Sequence, residues 1–127
     1  MYEDFIPFEL EVKLKEKGLN IPFFFFYRTD EDGKFIHHAL VTNPLVYSDK
    51  IDDEVVIAPT ISQVLKWLRK EKMIHIVINI WGRTWGYDIL TLPSGNSLHW
   101  TAYDEKINSY EQAALAGIEY VLDNKLI

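Results

Sequence analysis

Four histidines are the side chains of this sequence best suited to chemistry near neutral pH, because imidazole titrates there and ligates metal ions. His37 and His38 are adjacent in a segment that reads as a strand, so they project to opposite faces and cannot grip one ion without a bulge. His75 opens a later strand and His99 lies in the last one. Either one meeting His37 across a sheet, together with a nearby carboxylate, would make a metal-binding or hydrolytic site. No spacing such as His-Glu-x-x-His occurs, so surface or hydrogen-bonded histidines are the simpler expectation. Asp49, Asp52, Asp53 and Glu54 offer oxygens for a hard cation. They lack the alternating ligands and central glycine of a calcium loop and read as a solvated acidic loop. Ser62, Ser94 and Ser109 have helix, turn and cap duties, and no Gly-x-Ser-x-Gly elbow is present. Phosphate-cradling glycine loops are absent too. No catalytic, cofactor-binding or metal-ligating residue is therefore assigned.

The aromatic residues form the one constellation with a contact role. Seven Phe, seven Tyr and four Trp exceed what a core of this size requires. Trp81, Trp85, Tyr87, Trp100 and Tyr103 all fall between positions 74 and 103, and with Arg83 they make a candidate interaction surface. Rigid aromatic faces on neighbouring strands can anchor a protein or stack bases and sugars. The competing reading of each is ordinary sheet core. Alternation puts Ile76, Ile78 and Ile80 on one face of their strand and His75, Val77, Asn79 and Trp81 on the other, which predicts Trp81 on a wet or partner-facing side. Trp85 pairing opposite Trp81 would close a clasp around Arg83. The strip Lys66, Arg69, Lys70 reads as the solvated side of a helix and falls short of a nucleic-acid footprint.

Composition narrows the field further. The chain has 127 residues, the length of one domain with one core, and the expectation is a single α+β domain over residues 1–127. With no cysteine there is no disulfide, thiolate metal site or cysteine nucleophile. Nineteen acids against thirteen bases give a formal charge of −6, which opposes binding to polyanions. Acids at Glu3 and Asp4 and the lack of a long apolar run predict a cytoplasmic protein with no membrane association.

Several elements must position these side chains. Phe8, Leu10, Val12 and Leu14 alternate with charged residues as a strand would. Pro7 at the start, early acids, late lysines and Gly18 at the end instead predict a helix over about 7–17, covered on two sides. Residues 22–41 read as a β-hairpin turning at Asp30-Glu31-Asp32-Gly33, and Val55-Val56-Ile57 as a brief edge strand. Thr60 with Gln63 has capping-box spacing, and Ile61, Val64, Leu65 and Leu68 form one stripe of a helix over about 61–72 flanked by Trp67. Residues 74–103 read as a three-strand antiparallel meander with turns at Gly82-Arg83 and Pro93-Ser94-Gly95-Asn96. Ser109 with Gln112 opens a last helix over about 110–123, whose Ala113, Ala114, Ala116 and Gly117 permit close approach to a sheet.

Three strings stand out: Phe8-Glu9-Leu10 leading to Lys15-Glu16-Lys17-Gly18, Ala58-Pro59-Thr60 with Val64 to Arg69, and Ser109 to Ile118. Together they resemble a set of small, uncharacterised proteins of gut anaerobes and the bacteriophages that infect them. The resemblance implies a phage or prophage context and supplies no activity, cofactor or catalytic residue. The leading reading is a non-enzymatic interaction module, self-associating or bound to a protein partner. The alternatives are a metal-binding or hydrolytic enzyme using histidine and carboxylates, and single-stranded nucleic-acid binding through Trp81, Trp85 and Lys66.

Overall fold

The computed structural model describes residues 5–21, 25–29, 32, 35–40, 56–57, 59–101 and 104–127. They form an α+β arrangement: α1 (Phe8–Glu16), β1 (Phe25–Thr29), β2 (Phe35–Leu40), β3 (Val56–Ile57), α2 (Ile61–Glu71), β4 (Ile74–Trp81), β5 (Thr84–Thr91), β6 (Ser97–Thr101) and α3 (Tyr110–Asp123). The strands make two separate three-stranded sheets, ordered β2-β1-β3 and β4-β5-β6. The chain gathers into two units, Met1–Val64 and Leu65–Ile127, with the boundary inside α2.

In the first unit the ends of α1 override its strand-like alternation. Gly18 takes φ +86°, a left-handed conformation that suits glycine. Its N–H donates to the Lys15 carbonyl at 3.0 Å while the Leu19 N–H donates to the Leu14 carbonyl at 3.1 Å, the paired bonds of a Schellman closure. The expected cover on two sides is not what forms. Leu10, Glu11 and Leu14 are buried, Phe8 is half-buried and Val12 is 36% exposed, so one stripe is covered. That stripe includes an acid which the alternation had placed among the solvated residues. β1 is the central strand of its sheet, antiparallel to β2 with Phe25 opposite Leu40 and to β3 with Phe26 opposite Ile57. Val56-Ile57 thus forms the brief edge strand, while Val55, and residues 22–24, 30–31, 33–34 and 41 of the expected 22–41 hairpin with most of its turn, lie outside the described residues. Phe5 bridges Thr60, and the Ile6 N–H donates to the Pro59 carbonyl at 2.9 Å.

α2 begins with the reciprocal cap its spacing predicts. The Thr60 N–H donates to Gln63 Oε1 at 3.0 Å and the Gln63 N–H donates to Thr60 Oγ1 at 3.2 Å. Ile61, Val64, Leu65 and Leu68 are buried as the stripe requires, and so is Trp67. Burial of each such side chain stabilises by roughly 1.5–3 kcal/mol.

The second unit is built on the meander. Gly82 adopts φ +66° in the two-residue turn, which sets Trp81 opposite Thr84. Trp85 therefore pairs with Ile80 and Trp81 with Thr84, so the ladder does not set Trp85 opposite Trp81. Between β5 and β6 the register shifts, so that Ile89 opposes His99 but Leu90 opposes Ser97, leaving Leu98 as the extra residue of a bulge. α3 lies on the face of Ile76 and Tyr87. A Cβ on Gly117 would stand 2.8 Å from Ile76 Cγ2 and 3.5 Å from Tyr87 Cδ2, so the absent side chain is what admits the helix to the sheet. The Gln112 N–H donates to Ser109 Oγ at 3.1 Å, as the cap predicts. Its side-chain oxygen accepts from the Asn108 N–H at 2.9 Å, one residue further out than in α2.

Candidate functional site

Strand alternation divides the meander aromatics between two faces, and α3 covers one of them. On that face Tyr87 is 7% exposed, so most of its side chain belongs to the core. Burial pushes its phenol pKa up first, and Tyr120, Asp104 and Glu119 add to the shift. Its ring stands 5.9 Å from His99, and His99 stacks on Tyr120 of α3 at 3.9 Å with 5° between the planes. Trp85 is half-buried and meets Tyr110 edge to face, with centroids 6.3 Å apart. The Trp85 main-chain N–H donates to the Ile107 carbonyl at 3.1 Å. Cover ends before the hairpin turn. Ile80, which alternation assigned to the core side with Ile76, is 58% exposed.

The opposite face carries Trp100, which is 65% exposed. It pairs across the ladder with Asp88, and Val77 pairs with Asp88 on the other side. The Ser97 hydroxyl donates to Asp88 Oδ1 at 2.6 Å. Asn79 sits opposite Gly86, which has no side chain to fill the space between them. A shallow open concavity of about 360 Å³ results, lined by Asn79, Tyr87, Asp88, Ser97, Trp100 and Thr101. Among the described residues its lining holds one carboxyl group and no Lys or Arg, a poor match to a phosphate backbone.

The remaining members of the predicted surface do not join this one. Arg83 is exposed at the turn between β4 and β5. The Trp81 side chain and the whole of Tyr103 lie outside the described residues. Asp88, Asn79 and Ser97 are site residues that sequence reasoning missed. The two-residue turn at Gly82-Arg83 would have placed Asp88 opposite Val77 by counting. The bulge at Leu98 hides its pairing with Trp100 from any such count.

His75 and His99 lie on opposite faces of the second sheet. His75 pairs with Leu90, whose other neighbour is Ser97, and lies on the outer face, with its Nδ1 buried and lacking a hydrogen-bond partner. His99 lies on the helix face. His37 and His38 belong to the other sheet, opposite Arg28 and Tyr27, so no strand ladder brings either across from His75 or His99. Among the described residues no group of three or more His, Asp and Glu is placed to hold a metal ion.

One ionisable group is anomalous elsewhere. Glu11 is fully buried, neither carboxyl oxygen has a hydrogen-bond partner, and burial pushes its pKa up to about 7 against the pull of Lys15 one turn on.

The chain matches no protein-family model, no curated protein and no solved structure.

Proposed function

We propose that the chain is a non-enzymatic interaction module whose contact surface is the outer face of the second sheet. The observation that carries this reading is Trp100, a large rigid ring 65% exposed beside the concavity lined by Asn79, Asp88 and Ser97. A largely exposed indole costs hydration and gives the fold little packing, whereas tryptophan ringed by polar groups is the usual composition of an energetic contact. Leu98, 46% exposed on the same strand, enlarges the apolar area. The phage or prophage setting of such a module rests on the sequence resemblance alone.

Trp100→Ala tests the reading without endangering the fold, since the ring is mostly in water. Wild type and variant would be compared by sedimentation velocity over a concentration series and by quantitative co-purification from cell extract. A protein partner, or a second copy of the chain, is expected with the wild type and depleted with the variant. Identical profiles in both measurements would remove the proposal.

A further inference from the structure

We infer that the outer edge of β6 accepts an extended, basic segment of a partner protein as an added strand, its Lys or Arg lying over Trp100 and directed at Asp88. This rests on the reading of the outer face as the contact surface and names its occupant. The two-residue turn makes Trp81 and Thr84 a hydrogen-bonded pair, so Gly86 and Asp88 also bond toward β4, and Tyr87 and Ile89 bond toward β6. Trp100, opposite Asp88, is then a non-hydrogen-bonded position, and its main-chain N–H and C=O point away from β5. β6 is the edge of its sheet, so no described strand lies beyond it. Edges of this kind are ordinarily blunted by lysine, proline or an inward charge, and Ser97-Leu98-His99-Trp100-Thr101 contains none of these. The bulge at Leu98 twists one end of the strand and leaves Trp100 free to pair.

The geometry also selects the side chain. In a non-hydrogen-bonded pair the facing side chains are closest, so Trp100 and Asp88 are immediate neighbours on the outer face. A residue added opposite Trp100 stands two strand spacings, roughly 10 Å, from the Asp88 strand. A short side chain cannot bridge that gap, and a long cationic one crosses it along the indole face. The same chemistry is present within the chain, where Lys72 Nζ sits 5.4 Å from the Trp67 ring centroid. Charge separates the occupants further. A second copy would bring another −6 and another Asp88, whereas a basic segment meets a carboxyl with no competing cation among the described lining residues.

The intact chain would be titrated with the synthetic peptide acetyl-Thr-Val-Arg-Val-Thr-amide and with its counterpart carrying Glu in place of Arg, following the Trp100 amide and indole by NMR. The Arg peptide is expected to shift the Trp100 amide downfield as it gains a hydrogen bond. The affinity is expected to fall about tenfold with the Glu peptide or in Asp88→Asn, and to weaken with added salt. Equal affinities for the two peptides, or no response to the Arg peptide at millimolar concentration, would overturn the inference. Trp100-dependent self-association without a peptide response rejects the basic strand and leaves the contact surface in place. Loss of Trp100 dependence in every assay rejects both.

Discussion

At the scale of single residues, Glu11 and Trp100 break the usual sorting of side chains in opposite directions, one a buried acid and the other an exposed indole. Burial without a hydrogen bond disfavours the charged carboxylate, which is why the Glu11 pKa rises from 4.5 to about 7. The folded chain therefore binds this proton more tightly than the unfolded chain. The associated stability is fully present below about pH 4.5, declines as pH rises and is lost above about pH 7. The full span corresponds to roughly 3 kcal/mol. Urea denaturation across that window should show the decline in wild type and a flatter profile in Glu11→Leu, with the variant more stable by about 1–3 kcal/mol above neutrality. Parallel profiles would show that Glu11 is not the titrating group. Trp100→Ala, by contrast, is predicted to change stability by less than about 0.5 kcal/mol while altering association.

At the scale of elements, helix ends and close approach decide what hydrophobic periodicity leaves open. α1 alternates like a strand yet is a helix, because Gly18 closes it with two backbone bonds. α2 and α3 each begin on a side-chain cap, so Thr60→Ala and Ser109→Ala should each cost about 1 kcal/mol in thermal or urea unfolding. Gly117→Ala poses two opposed effects. It gains up to about 1 kcal/mol of intrinsic helicity but sets a methyl 2.8 Å from Ile76, a residue only 4% exposed and unable to retreat into solvent. The packing cost is expected to win, making Gly117→Ala destabilising and Gly117→Val more so by about 1–3 kcal/mol. A stabilised Gly117→Ala would show that α3 can rise from the sheet without loss.

At the scale of the whole molecule, the formal charge of −6 sets how copies meet in solution. Mutual repulsion should fade as pH approaches the isoelectric point near 5.1, so light scattering is predicted to peak there and to be lower in Trp100→Ala. A flat profile would show that charge does not govern self-association. No described helix is long and apolar enough to cross a membrane. Much of the architecture could be read directly from the chain, because capping residues, turn glycines and short-range periodicity are local properties. Thus Thr60 and Ser109 locate two helices, Gly82 locates a hairpin, and Val56-Ile57 reads as an edge strand. What only the tertiary structure decided depends on distant residues meeting. Alternation separates the faces of a strand but does not say how far cover extends along each of them, so Ile80 emerges exposed and Tyr87 buried. Nor does it reveal a bulge, and that single extra residue at Leu98 is what sets Trp100 beside Asp88 and makes the outer face a candidate site.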